Sequence, residues 1–210
     1  MKVFFFICCF SFFGIMAFGQ ISTEPANSNK VQQAKEIIDK TCAEYDSYKT
    51  IQVDFVLSVK HPNYESRETI KGYAEGKKYR LASKQQNIIC NGKSVWFHLL
   101  ENNKVMQSTP NPDEVNIIFP AQMLRIYERN YNYNLGGEFQ VRDKTLQKLE
   151  FLPKSSLEKF SKINVYVDKK TSQVVRVSRF GKDGALYILD LQNVLYNIKL
   201  DPTLFKLEMS

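Results

Sequence analysis

Hydrophobic and polar positions change period close to residue 50 of this chain. Val31, Ala34, Ile38, Cys42, Tyr45 and Tyr48 recur at three- and four-residue spacing, while Gln32, Lys35, Asp39 and Lys40 face elsewhere. That spacing predicts an amphipathic helix, and Asn29 with Gln32 three positions on predicts its N-terminal capping box. From Ile51 the period falls to two: Ile51, Val53, Phe55, Leu57 and Val59 alternate with Gln52, Asp54, Val56 and Ser58. This is the pattern of a strand with one buried face. Further strands are predicted at Arg67–Ala74, Lys78–Ala82, Asn87–Cys90, Ser94–Leu100 and Lys104–Thr109. Asn91-Gly92 is a strong hairpin signal, and short turns between successive strands imply an antiparallel meander.

The alternation breaks at residues 111 to 128. Asn111-Pro112-Asp113-Glu114 combines an N-cap residue, a first-turn Pro and two acids, which predicts a helix start. The helix stops or kinks at Pro120, and Pro120 itself can begin a second short helix through Glu128. Val115, Ile117, Ile118, Phe119, Met123, Leu124, Ile126 and Tyr127 make this segment unusually apolar for an insert between strands. It reads as a lid. Strands resume at Tyr131–Asn134, Glu138–Arg142, Lys148–Leu152, Lys162–Asp168, Val174–Phe180 and Leu186–Tyr196, with Gly136-Gly137 and Asp183-Gly184 as turns. The sum is an α+β chain: an antiparallel shell or open barrel with an N-terminal helix and a helical lid insert.

The first residues alter the picture of where this domain works. Lys2 precedes an apolar run from Val3 to Phe18 that ends in Ala17-Phe18-Gly19. This is the layout of a secretory leader with a small-x-small cleavage site, and it is shorter than a bilayer span. Cleavage after Gly19 is expected, leaving residues 20 to 210 as one domain. The 29 Lys and Arg against 22 Asp and Glu give a net charge of +7, or +6 once Lys2 is removed. The basic residues are scattered singly or in pairs, with no dense cluster and no RNA-binding signature, so a solvated basic surface is expected and a nucleic-acid partner is not. Beyond the leader the cysteines are Cys42 and Cys90. An exported chain can keep a disulfide, but both residues read in preference as small buried apolar side chains.

The sequence carries few residues patterned for chemistry. His61 and His98 have no partner at metal-ligand spacing, and there is no HExxH, CxxC, GxSxG elbow or phosphate-cradling loop. No cofactor and no enzymatic activity are expected, although scattered acids that converge in space remain an alternative. What is abundant is apolar and aromatic surface. A single twisted sheet with one or two short helices leaves an interior that helices plug or a ligand fills.

Several stretches together resemble a family. The helix of Ala34 to Tyr48 running into Ile51-Gln52-Val53-Asp54-Phe55 is followed by Lys71-Gly72-Tyr73-Ala74-Glu75-Gly76 and Tyr79-Arg80-Leu81. Then comes Ile88-Ile89-Cys90-Asn91-Gly92-Lys93-Ser94-Val95-Trp96-Phe97, and the chain closes on Asp201-Pro202-Thr203-Leu204-Phe205. In this order they are similar to the outer-membrane lipoprotein carrier family, LolA. The resemblance implies an unclosed β-barrel with a helical lid, acting as a monomer in the periplasm. It further implies acylated lipoproteins as cargo, an inner-membrane ABC-type release complex as donor, an outer-membrane acceptor, no cofactor and no catalysis. Phe55, Leu57, Trp96 and Phe97 from the wall and Ile118, Phe119, Met123, Leu124 and Tyr127 from the lid are the expected acyl-chain contacts, with only one of the neighbours Trp96 and Phe97 pointing inward. Well-known members carry an Arg-Pro whose Arg latches the lid. Here Gly76-Lys77-Lys78-Tyr79-Arg80 stands in its place, leaving Lys78 or Arg80 to substitute. Two other readings keep the same shell: a binder of a free lipid or glycolipid, and an envelope sensor of lipoproteins.

Overall fold

The computed structural model describes residues 25–207. The expected leader and its cleavage point lie outside the described residues. Helix α1 (Pro25–Asp46) comes first, then six strands: β1 (Thr50–His61), β2 (Tyr64–Glu75), β3 (Lys78–Ala82), β4 (Gln86–Cys90), β5 (Val95–Leu99) and β6 (Lys104–Ser108). Helix α2 (Pro120–Asn130) follows, and then β7 (Tyr131–Val141), β8 (Lys144–Pro153), β9 (Phe160–Asp168), β10 (Val174–Gly181) and β11 (Leu186–Tyr196). A short 3-10 turn, α3 (Pro202–Phe205), ends the order.

Two meanders make one sheet. Strands β1 to β6 pair consecutively, as do β7 to β11, and the halves join where β1 runs antiparallel to β11, from Ile51 opposite Tyr196 to Lys60 opposite Leu186. The order is β6-β5-β4-β3-β2-β1-β11-β10-β9-β8-β7, so β6 and β7 are free edges and the barrel stays open. The segment from 109 to 130 connects those two edges. This is the expected α+β half-barrel with an N-terminal helix and a lid insert.

The core lies on one face of the sheet. Helix α1 turns Ala34, Ile38, Cys42 and Tyr45 inward, α2 turns Met123, Leu124 and Tyr127 inward, and Val53, Phe55, Leu149, Phe151, Ile163 and Val165 meet them from the strands. Tyr45 extends the contact of α1 across the sheet, because its hydroxyl accepts a hydrogen bond from Val174 N at 3.1 Å. Among the described residues no helix is long and apolar enough to cross a membrane.

Three local expectations are corrected. Helix α1 starts at Pro25, so Asn29 is inside the helix and is no cap. Proline suits a first turn because its missing N–H is unneeded there. Gly136-Gly137 is a bulge within β7, not a turn: pairing jumps from Leu135 opposite Leu149 to Glu138 opposite Gln147, and Gly137 has φ +117°. Residues 111 to 119 form turns instead of a helix. Asn111 Oδ1 accepts from Asp113 N at 3.0 Å and Asn116 Oδ1 from Ile118 N at 3.1 Å, so side chains capture the amides that would have opened a helix. Phe119, held at φ −116° and ψ 77° ahead of a proline, then caps α2, which begins at Pro120.

Candidate functional site

The lid closes over the wall through a few defined contacts. Pro120, Ala121, Met123, Leu124, Ile126 and Tyr127 form the buried side of α2, the three- and four-residue spacing of a helix with one apolar stripe. Arg125 forms a bidentate pair with Asp46 at the end of α1, Nη1 to Oδ1 at 3.3 Å and Nη2 to Oδ2. That carboxylate raises the guanidinium's pKa still further. Lys35 of α1 reaches Glu128 at 3.3 Å, and Cys42 Sγ lies 3.7 Å from Ala121 O. At the far end Lys154 Nζ donates to Glu128 O and Arg129 O, both at 3.0 Å, satisfying carbonyls that a helix C-terminus leaves open. Between these anchors Ile118 packs into the wall beside Gly72 and Phe55, and Phe119 meets the Tyr79 ring edge-on at 5.7 Å. Burial pushes the Tyr79 hydroxyl up to about 12, so it stays neutral.

Two cavities adjoin the lid. The first, about 780 Å³, is walled by Tyr79, Leu81, Ile88, Val95 and Phe97 and roofed by Val115, Ile117 and Phe119. The second, about 640 Å³, lies over Leu57, Ile70, Val177 and Leu189, with Phe160 and Tyr187 beside them. Each falls within the ~300–1,000 Å³ of ordinary ligand pockets. Ile117 and Arg179 belong to both linings, so the cavities adjoin at these two residues. The Arg179 Nε donates to the Tyr127 hydroxyl at 2.8 Å, and the guanidinium lies 5.9 Å from the Tyr127 ring centre and 5.6 Å from that of Phe160. Burial raises the pKa of the Tyr127 hydroxyl, and the nearby Arg179 charge partly offsets this.

The expected contacts divide into three groups. Leu57, Phe97 and Phe119 are on cavity walls. Phe55, Ile118, Met123, Leu124 and Tyr127 are core residues, each at most 2 % exposed, that join lid to wall. Trp96 faces the other way: it stands in register with Ile89 and Gln107 and donates its indole N–H to Gln107 Oε1 at 3.2 Å, while its neighbour Phe97 takes the inward position. Lys78 and Arg80 alternate with the inward-facing Tyr79 and Leu81 and so lie on the outer face. Lys78 pairs with Glu75 at 2.8 Å and lies over the Phe205 ring of α3. The polar contacts that tie down the lid are those of Arg125, Lys35, Lys154 and Arg179. Arg179 is missing from the contacts expected from sequence, although its phase with Val177 in β10 places it on the core side.

Cys42 and Cys90 are buried and unpaired, as preferred from the sequence. His98 shares a hydrogen bond with Asn103 at 2.7 Å, and His61 stacks on Tyr64. Among the described residues no group of three His, Cys, Asp or Glu is placed to hold a metal ion.

The architecture is shared with solved structures at low identity. An uncharacterized conserved protein from Thermus thermophilus aligns with a TM-score of 0.59 at 15% identity, over 85% of this chain and 95% of that one. The MucA/MucB complex structure from Pseudomonas aeruginosa aligns at 0.52 with 13% identity, over 84% of this chain and 61% of that one. The lipoprotein LppX of Mycobacterium tuberculosis aligns at 0.50 with 10% identity, over 81% and 98%. No curated protein matches the sequence. Residues 46–208, from the end of α1 through α3, match the family described as outer membrane lipoprotein carrier protein LolA, and the chain belongs to that family.

Proposed function

We propose that this chain is an exported carrier in a bacterial envelope, which shelters the acyl chains of lipoproteins beneath its lid and moves them across the periplasm from inner to outer membrane. The leader over residues 1–19 is cleaved, and the mature protein acts as a monomer without cofactor or catalysis. An inner-membrane ABC-type complex loads it and an outer-membrane acceptor unloads it. The observation that carries this reading is the pair of adjoining cavities, about 780 and 640 Å³, each floored by apolar strand side chains and both bordered by Ile117 of the lid. Burying an acyl chain gains about 0.8 kcal/mol per CH₂, so a carrier needs such a hollow and also a means of release. The lid supplies competition: Ile117 and Phe119 occupy space that chains would take, which lowers net affinity and permits hand-over.

A second reading keeps the fold and substitutes a free lipid or glycolipid as cargo, favoured by the charged guanidinium of Arg179 where the cavities meet. Mass spectrometry of molecules co-purified from the envelope fraction separates the two. Peptides with a lipid-modified N-terminal cysteine support the first, and free lipid alone supports the second. A protein that carries nothing acylated and takes up no acyl probe overturns both. Depletion that strands lipoproteins in the inner membrane is expected for the carrier.

A further inference from the structure

Arg179 is a partly buried cation beside the apolar core with an unused donor. Its Nε is committed to Tyr127 at 2.8 Å, yet its Nη2 is buried and has no hydrogen-bond partner among the described residues. No carboxylate pairs with it among the described residues. Leaving a charged donor buried and unmatched is costly. The rings of Tyr127 and Phe160 offset part of that cost through their π faces, but they accept no directed hydrogen bond from Nη2. The surroundings are also basic. Lys159 and Lys182, both exposed, line the second cavity with Arg179, against a single acid, Asp183, and Lys182 Nζ also donates to Ser156 O. That acid is engaged by its own turn, where its Oδ1 accepts from Ala185 N at 3.0 Å.

We propose that Arg179, with Lys159 and Lys182, forms a subsite for an anionic group, a phosphate or carboxylate, carried by an amphiphile whose chains fill the two cavities. The inference rests on the acyl-binding part of the proposed function and, of its two readings, favours the free lipid, because the lipid-modified cysteine of a lipoprotein carries no anion where its chains meet. A planar guanidinium suits this role, because it can keep Nε on Tyr127 while Nη2 takes a phosphate or carboxylate oxygen. The apolar walls on either side supply affinity and the guanidinium supplies selectivity, since a charge-assisted bond in a dry site discriminates more strongly than one in water.

The test uses the mature protein and displacement of a fluorescent fatty-acid analogue. The competitors are oleate, oleyl alcohol, dioleoyl phosphatidylglycerol in detergent below its micellar concentration, and inorganic phosphate. Oleate is expected to displace the probe at least about tenfold better than oleyl alcohol. Arg179→Leu is expected to collapse that preference, read as the ratio of oleate to oleyl alcohol affinity within the same variant, and Arg179→Lys to keep part of it. Lys159→Gln with Lys182→Gln weakens the preference a few-fold and flattens its salt dependence. Displacement by phosphatidylglycerol but not by inorganic phosphate identifies a lipid headgroup, and displacement by both identifies an anion site that acts without a chain. Equal displacement by oleate and oleyl alcohol, or a preference that survives Arg179→Leu, overturns the anion subsite and leaves the carrier reading intact. Failure of the wild type to bind any acyl probe overturns the carrier reading itself, and this inference with it.

Discussion

The Ile118 Cδ1 atom stands 2.7 Å from the position a Cβ would occupy on Gly72, so the lid reaches the wall at a residue that has no side chain. Phe55 Cε2 is equally close to that position and Val53 Cγ1 is at 3.0 Å. A methyl group there has no room unless Ile118 withdraws or the Phe55 ring turns. Gly72→Ala is therefore expected to lower stability by about 1–3 kcal/mol, the cost of overpacking a filled core. The urea midpoint should fall with the slope unchanged, and uptake of an acyl probe should rise because the displaced lid competes less.

Leu124 and Ile117 belong to the same lid but should respond differently to a polar substitution. Leu124 is fully buried in the core, so Leu124→Glu strands a carboxylate away from water and reduces folding before it touches binding. Ile117 is half-buried and borders both cavities. Ile117→Asn is expected to weaken acyl binding about tenfold while stability changes by less than about 1 kcal/mol. Thermal unfolding and probe titration on the two variants separate the roles.

The bidentate pair of Arg125 with Asp46 is a modest latch. Both side chains are about half exposed, 52% and 51%, so water screens the pair, and a double-mutant cycle with Arg125→Ala and Asp46→Ala should return a coupling of about 0.3–1 kcal/mol. Release of a pre-loaded acyl probe should quicken to a similar degree in each single variant and no further in the double one.

Cys42 reports on lid position. Burial pushes its thiol from an ordinary 9.0 up to about 11, and its sulfur faces the α2 backbone at Ala121. The folded chain holds this proton over a range in which the unfolded chain has lost it. Its contribution to stability is therefore complete below about pH 9 and is lost progressively as pH rises through about 11. Cys42→Ala should remove that part of the alkaline decline in urea titrations. At pH 8 a thiol reagent should label Cys42 slowly, and faster in Gly72→Ala, where the lid is displaced.

Much of the architecture is legible in periodicity. Strands β3, β4 and β11 lie within one residue of their expected bounds, because alternation and turn residues are local signals. What alternation leaves open is absolute direction: Trp96 and Phe97 fit either face until the pairing with Gln107 and Met106 fixes the parity. The seam of β1 with β11 joins residues some 140 positions apart, and no local pattern marks it. Asn111 and Pro112 carry the residue types of a helix start, but the asparagine side chains close turns first and defer the helix to Pro120. Most of the cavity wall is hidden from the sequence for a related reason. Tyr79, Leu81, Ile88 and Ile117 differ from core residues only in what they leave unfilled, and that is a property of the assembled sheet.

The lid is fastened at both ends to the two unpaired margins of the sheet, β6 and β7. It is thus a strap across an open bow, with cover height and bow width coupled in one motion. A bulky guest that lifted the strap would therefore pull on both rims at once.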